Sequence, residues 1–312
     1  MKILITDNVH DLLPERLKGK GFDVTYLPDI GWDGVYDIID DYCAIVINTK
    51  TRMNKKMLDK ARKLKLIVRL GSGLDIIDLD YAGKKNIIVE RTPEGNRNAV
   101  AEHALGMLLS LMNKIVVSNN EVKDFQWNRE KNRGVELEGK TIGIIGFGNT
   151  GSRFAWKLKH FDVKILAFDK YKQRFDENFR FVVKASMDQL WEECDVLSLH
   201  IPLTEETKCL VDESFINKFR KDIYLINTSR GKIINTKDLI KELESGKIKG
   251  AALDVLENEK PGTYTDDEKV LYGKMFSMEN VIVTPHIAGW TIESREKIAK
   301  YSYDKIIKNC IS

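Results

Sequence analysis

The stretch Thr141-Ile-Gly-Ile-Ile-Gly146-Phe-Gly148-Asn-Thr-Gly151 decides how this 312-residue chain is read. A short apolar run leads into G-x-G-x-x-G, and Ser152 to Lys159 continue with helical character, giving strand, glycine turn and helix in succession. In that setting Gly146 permits a tight turn, Gly148 lets backbone approach a pyrophosphate, and Gly151 lets the helix lie against the strand. Phe147, Asn149 and Thr150 complete the turn, and the helix N-terminus offers free N–H groups and partial positive charge to phosphates. The next strand, Val163 to Phe168, ends in Asp169, 18 residues after Gly151, the offset of the acid that holds an adenosine ribose. An acid there accepts from both ribose hydroxyls and repels a 2′-phosphate, which favours NAD over NADP, although Lys170 and Arg174 stand close by.

Working outward, the same alternation fills the chain. Ile3 to Thr6, Val24 to Leu27, Ala44 to Ile47, Leu66 to Val68 and Ile87 to Val89 read as strands separated by segments of helical spacing such as Met57, Leu58, Ala61 and Leu64. After the fingerprint come Asp195 to His200, Asp222 to Asn227, Gly250 to Val255 and Val281 to Thr284. Alternating β and α segments predict an α/β protein of two doubly wound parallel-sheet domains, the larger a Rossmann domain. Between the series, Asn98 to Lys114 predicts one long helix apolar on almost every face, suited to burial in a core or against a second subunit. Thr291 to Ile311 predicts a capped terminal helix opening on Thr-Ile-Glu-Ser.

Composition narrows the function classes. With 43% hydrophobic and 31% charged residues, 6 Pro and 21 Gly, the chain is neither disordered nor fibrous. A net charge of +3 is too small to argue for nucleic acid or an anionic membrane. The basic run Lys55 to Lys65 places its apolar residues on one helical face and no aromatic residue between its charges, so it reads as a solvated outer face. Cys43, Cys194, Cys209 and Cys310 form no C-x-x-C pair; reduced, structural thiols are expected, with no zinc or other metal site. The short apolar start is no secretory segment, and no window of 18 apolar residues exists, so a soluble, cytoplasmic protein is expected.

In an open parallel sheet, ligands sit beyond the carboxyl ends of the strands. That rule filters the histidines: His10, His103 and His160 fall elsewhere, whereas His200 and His286 end strands. It also selects Arg230 after Asp222 to Ser229, and Asp254 and Glu259 after Gly250 to Leu253. Hydride transfer between a hydroxy acid and nicotinamide needs a group that carries the hydroxyl proton and a cation for the carboxylate or developing alkoxide. His286 and Arg230 suit those roles. Glu259, if it reaches the imidazole, would raise its pKa and fix its tautomer.

With these residues in view, the chain resembles the D-2-hydroxyacid dehydrogenases over nearly its whole length. The likeness runs through Arg-Leu-Gly71-Ser72-Gly73-Leu-Asp75, Asn96-Arg-Asn-Ala-Val-Ala-Glu102-His103, the fingerprint, Leu-His200-Ile-Pro202-Leu-Thr204, Asn-Thr-Ser-Arg230-Gly231, Leu-Asp254-Val-Leu-Glu-Asn-Glu259 and Pro-His286-Ile-Ala-Gly. The resemblance implies that Arg230, Glu259 and His286 are catalytic and that backbone N–H groups of Gly71, Ser72 and Gly73 hold the substrate carboxylate beside Arg230 and His286. It also implies that Asp254 and Gly289 lie near the nicotinamide and that His200, Ile201, Pro202, Thr207, Thr228 and Ser229 line the cofactor cleft. It implies a discontinuous substrate domain, 1–97 plus 288–312, around an NAD-binding domain, 98–287, hinged to close on the substrate, and a homodimer formed through the helix from Asn98.

Pro93-Glu-Gly-Asn96, Trp127 and Glu136-Leu-Glu-Gly-Lys140-Thr are similar to short-form phosphoglycerate dehydrogenases, making 3-phosphoglycerate the first expectation for substrate. Asn48 stands where those enzymes usually carry a phosphate-binding Arg, so Lys50, Arg52 or Arg133 would have to replace it. Glyoxylate, hydroxypyruvate and D-lactate are therefore alternatives. An NAD(H)-sensing, co-repressor-like binding protein is the reading from another class; retention of all three catalytic groups argues against it.

Overall fold

Leu4 and Ile5 face opposite ways, as neighbours on a strand must, and both are fully buried. The same two-sided burial holds for most strands of the computed structural model, which describes residues 1–311. Its contacts divide the chain into two units: Met1–Arg97 with the chain from Trp290 onward, and Asn98–Gly289.

The first unit holds β1 (Lys2–Ile5), α1 (Leu12–Gly19), β2 (Asp23–Tyr26), α2 (Trp32–Ile38), β3 (Ala44–Ile47), α3 (Lys55–Lys60), β4 (Leu66–Arg69), α4 (Leu79–Lys84) and β5 (Ile88–Arg91). Its five strands are all parallel, in the order β2-β1-β3-β4-β5. One face packs Leu4, Ile45, Ile47 and Ile67 against Val35, Met57, Leu58 and Ala82. The other packs Ile3, Ile5, Val46 and Val68 against Leu13, Leu17, Ala299 and Ile306. Each of the Val, Leu, Ile and Met side chains among them contributes about 1.5–3 kcal/mol when fully buried.

The second unit begins within α5 (Pro93–Met112) and continues through α6 (Ile115–Lys123), β6 (Thr141–Ile145), α7 (Asn149–Leu158), β7 (Lys164–Phe168), β8 (Val182–Lys184), α8 (Met187–Glu193), β9 (Val196–Leu199), α9 (Glu213–Ile216), β10 (Ile223–Asn227), α10 (Thr236–Ser245), β11 (Ile248–Leu253), α11 (Asp266–Phe276) and β12 (Val281–Val283). The chain ends in α12 (Ile292–Ile311) of the first unit. The seven strands are parallel in the order β12-β11-β10-β9-β6-β7-β8, so the winding reverses between β6 and β9. Side chains alternate between faces: Ile142, Ile144 and Ile226 meet Leu108 and Phe154 on one, while Ile145, Ile223 and Leu225 meet Leu190, Phe215 and Leu239 on the other.

The fold differs from the sequence expectations in five respects. The edge strand β8 carries no readable period in three residues, and its Val183 is 44% exposed. The apolar helix begins at Pro93, five residues before Asn98, because Pro is well placed in a first turn. It ends at Met112; Lys114 takes a left-handed φ of 51° and a separate helix, α6, follows. It is also not covered all round: Glu102 and Gly106 are exposed and Leu105 and Leu109 half-buried. Ala288 and Gly289, expected with the first domain, cluster with the second unit.

The terminal helix has its expected cap. Thr291 Oγ1 accepts from Ser294 N at 3.0 Å, and Ser294 Oγ accepts from Thr291 N at 3.0 Å. Near its start a Cβ on Gly95 would come 2.8 Å from the Cα of Ile298, so glycine lets α12 close on the first turn of α5.

Among the described residues no single helix is long and apolar enough to cross a membrane; only α5 and α6 taken together, bent by 62°, reach that length and composition.

Candidate active site

Strand register builds the site. Ile145, Leu199, Asn227, Leu253 and Val283 pair in one row across the large sheet. The residues that follow them, Gly146, His200, Thr228, Asp254 and Thr284, therefore emerge along one edge, at the carboxyl ends and around the switch between β6 and β9.

The fingerprint turn is held by contacts that its glycines permit. Gly146 has φ 91°, and a Cβ there would lie 2.4 Å from the His200 carbonyl oxygen. On Gly151 it would lie 2.0 Å from the Gly146 carbonyl oxygen. A Cβ on Gly148 would meet no protein atom within 4 Å, so the protein's own packing does not require that glycine and the backbone there is open to a ligand's close approach. Asn149 and Thr150 form the first turn of α7. Phe147 turns its ring into the core, 4.1 Å from that of Phe175, and contributes only backbone.

Asp169 ends β7 beside the turn. Its Oδ2 accepts from Phe147 N at 2.8 Å and its Oδ1 from Tyr171 N and Lys172 N at 3.0 Å. These donors fix the carboxylate at the mouth of a pocket lined by Phe168, Lys170, Lys172, Lys184 and Ser186. Two further atoms look for a partner along the edge: the Thr228 hydroxyl and His200 Nδ1 are buried with no hydrogen bond in the protein. Unlined space at Gly148, orphaned polar atoms and a braced acid fit a dinucleotide. Thr207 spends its hydroxyl within its own loop, donating to the Pro202 carbonyl at 2.7 Å and accepting from Thr204 N at 2.8 Å. Ile201 packs its Cγ2 toward Gly146.

Arg230, Glu259 and His286 lie in the loops after β10, β11 and β12. His286 Nδ1 lies 2.8 Å from Glu259 Oε2, and both side chains remain partly open to solvent, at 47% and 39%. His286 holds a left-handed φ of 56°, a conformation that costs a non-glycine residue roughly 1–3 kcal/mol and must be enforced by its surroundings. Buried Asp254 enforces it: His286 N donates to the Asp254 carbonyl at 2.9 Å, and the carboxylate accepts from Ile287 N and Ala288 N at 2.8 Å. Asp254 in turn is met by Thr284 Oγ1 at 2.6 Å, and Thr284 by His103 Nε2 at 3.0 Å. The strand-end filter passed over His103, whose partners are far away in sequence.

Arg230 follows the Asn227-Thr-Ser turn, where Asn227 Oδ1 accepts from Ser229 N and Oγ and Asn227 Nδ2 donates to the Arg230 carbonyl. The next residue must be glycine, since a Cβ on Gly231 would lie 1.9 Å from the Leu256 carbonyl. Arg230 is thus wedged beside the loop that carries Glu259.

In the first unit, Gly71 N donates to Thr92 Oγ1 at 2.8 Å, while among the described residues nothing accepts from the N–H groups of Ser72 and Gly73. Ser72 Oγ reaches Asn96 Oδ1 at 3.3 Å. Of the three cations proposed to replace the Arg missing at Asn48, Lys50 bonds the Pro28 carbonyl and Arg133 pairs with Glu130 at 2.6 Å. Among the described residues no three His, Cys, Asp or Glu side chains converge as metal ligands, and the four cysteines are free. Burial pushes the Cys194 thiol up to about 12 and that of Cys310 up to about 11.

Residues 105–288 match the family model for the NAD-binding domain of D-isomer-specific 2-hydroxyacid dehydrogenases. A hydroxypyruvate reductase of Thermotoga maritima is 36% identical over 276 residues, 88% of this chain and 87% of that one. A D-3-phosphoglycerate dehydrogenase of Archaeoglobus fulgidus is 30% identical over 307 residues, and this chain, matched over 98% of its length, spans only 57% of it. A D-lactate dehydrogenase from Aquifex aeolicus, solved with NAD and lactic acid, superposes with a TM-score of 0.85 at 30% identity, covering 100% of this chain and 95% of that one.

Proposed function

The chain belongs to the D-isomer-specific 2-hydroxyacid dehydrogenases, NAD-linked oxidoreductases acting on CH–OH groups, and we propose that His286, Glu259 and Arg230 carry its chemistry on a small 2-hydroxy acid. The observation that supports this most is the 2.8 Å contact of His286 with Glu259, in a loop locked onto Asp254.

The turn from Gly146 to Gly151 and the α7 N-terminus would hold the pyrophosphate, Asp169 the adenosine ribose, and Thr228 and His200 further polar groups of the dinucleotide. When bound, the dinucleotide supplies or takes up the hydride. In carbonyl reduction, His286 donates a proton to the 2-oxo oxygen while Glu259 fixes its tautomer and balances the imidazolium. Arg230 stabilises negative charge on the carbonyl oxygen and carboxylate. The N–H groups of Ser72 and Gly73 would take the carboxylate.

For the substrate, 3-phosphoglycerate remains the first reading, on the sequence features around Pro93 and Trp127. The engagement of Lys50 by Pro28 and of Arg133 by Glu130 favours a second, hydroxypyruvate, because a phosphate needs paired cations and of the three candidates only Arg52 is left. NADH oxidation measured with phosphohydroxypyruvate, hydroxypyruvate, glyoxylate and pyruvate decides between them. Arg52→Ala should lower kcat/KM at least tenfold for the phosphorylated acid alone if phosphate is recognised, and leave all four unchanged if it is not. His286→Ala should lower turnover at least a hundredfold on every substrate; full activity in that variant would remove the assignment.

We also propose a homodimer joined through α5 and the segment that follows it, where Ile115, Val116 and Val122 of α6 and Phe125 and Trp127 just beyond it stand exposed.

A further inference from the structure

His103 sits on α5, outside the strand ends from which the proposed chemistry comes, yet its imidazole reaches them. Its Nε2 lies 3.0 Å from Thr284 Oγ1 and 3.6 Å from Asp254 Oδ1. Donor and acceptor roles along this chain are fixed. The Asp254 carboxylate can only accept, so the single Thr284 hydroxyl proton goes to Asp254 Oδ1 at 2.6 Å. The oxygen of Thr284 then faces His103 as an acceptor, and His103 Nε2 must carry a proton to satisfy it. Asp254 is 1% exposed, so its charge is satisfied by this hydroxyl and by the N–H groups of Ile287 and Ala288 rather than by water. Those two N–H groups belong to the residues that follow His286 and help hold its left-handed backbone.

We propose that His103 is a positioning residue for the dehydrogenase reaction: by donating to Thr284 it orients the hydroxyl that holds the Asp254 carboxylate, and through Asp254 it sets the loop that aims His286. The proposal rests on the reading of His286 as proton carrier. A side chain at 103 that donates from the same place should serve nearly as well as imidazole. Glutamine places its amide N–H close to the imidazole Nε2; leucine fills the volume and donates nothing. At position 284 serine keeps the hydroxyl and valine removes it.

The test compares wild-type protein with H103Q, H103L, T284S, T284V, the double variant H103L/T284V and H286A. It measures kcat and KM with NADH and whichever of the four 2-oxo acids the wild type reduces fastest, together with the Tm of each protein. T284V, which cuts one hydrogen bond to a buried charge, and H103L, which frees the hydroxyl that makes that bond, should each lose about tenfold in kcat, with KM for the 2-oxo acid within twofold. H103Q and T284S should keep at least a third of wild-type kcat. The double variant should be no worse than about twofold below the poorer single one, because both substitutions break one chain. Wild-type kcat in H103L overturns the proposal, as does an H103Q as impaired as H103L, or losses that multiply in the double variant. If H103L does not fold, the T284S and T284V pair and H103Q carry the same decision. The two readings also separate: an inactive H286A beside a fully active H103L removes only the role of His103, whereas a fully active H286A removes the reading of His286 itself.

Discussion

His200 closes β9 with its ring buried, Nε2 2.8 Å from Ser198 Oγ and its face against Phe154 at 5.3 Å. Burial pushes this imidazole down to about 3, from an ordinary value of 6.5. The folded protein therefore refuses a proton that the unfolded chain accepts below about pH 6.5, and stability held above that pH is lost as the pH falls toward 3. His200 alone contributes a slope of up to about 1.4 kcal/mol per pH unit in that window. Urea unfolding at pH 7 and pH 5 should show a loss about 2 kcal/mol larger in wild type than in H200Q. Equal losses in the two proteins would assign the acid sensitivity to other groups. At this scale the sequence was legible where placement follows from strand position: Arg230, Glu259 and His286 stand beyond strand ends, and a parallel sheet delivers them to one edge. His103 was illegible because its partner Thr284 is 181 residues away and only the packing of α5 brings the two together. Phe147 and Thr207 show the converse, since their positions mark them as ligand-facing while their side chains serve the core and the loop.

Among the elements, α12 shows most directly how sequence pattern becomes tertiary structure. Thr-Ile-Glu-Ser announces its start, and the reciprocal bonds between Thr291 and Ser294 hold it. Thr291→Ala should cost about 1 kcal/mol, read as a lowered denaturant midpoint with unchanged slope; an unchanged midpoint would mean that packing on Gly95 fixes the helix start without the cap. Periodicity made α12 and most strands readable. It failed for β8, too short to show a period, and for the junction at Lys114, where the apolar pattern runs on but the backbone turns left-handed and breaks one expected helix into two. The basic run of α3 shows how far a local pattern reaches. Its buried face, Met57 and Leu58, was evident, but the fold also sets Tyr36 of α2 4.9 Å from Lys56 Nζ and Tyr81 of α4 5.4 Å from Lys55 Nζ, rings that no inspection of the run itself reveals.

For the whole molecule, the balance of charge says less than its distribution. Net +3 did not announce an anionic ligand, yet the α7 N-terminus and Arg230 place positive potential along one edge of the large sheet. Apolar surface is also unevenly spread, with Phe125 fully exposed and Trp127 at 77%. Sedimentation should give a particle of twice 35.8 kDa, and a V116E/V122E variant should dissociate at concentrations at least a hundredfold higher than wild type requires. A monomeric wild type would leave those residues without the proposed partner.

The return of α12 to the first unit has a consequence for biosynthesis. The segment from Asn98 to Gly289 is contiguous and can complete its sheet as it leaves the ribosome, whereas the earlier-made β1–β5 sheet lacks Ala299 and Ile306 from one face until the last helix emerges. The part of the chain synthesised first is therefore the part finished last, with Ile3, Ile5, Val46 and Val68 waiting for their cover throughout the making of the other unit.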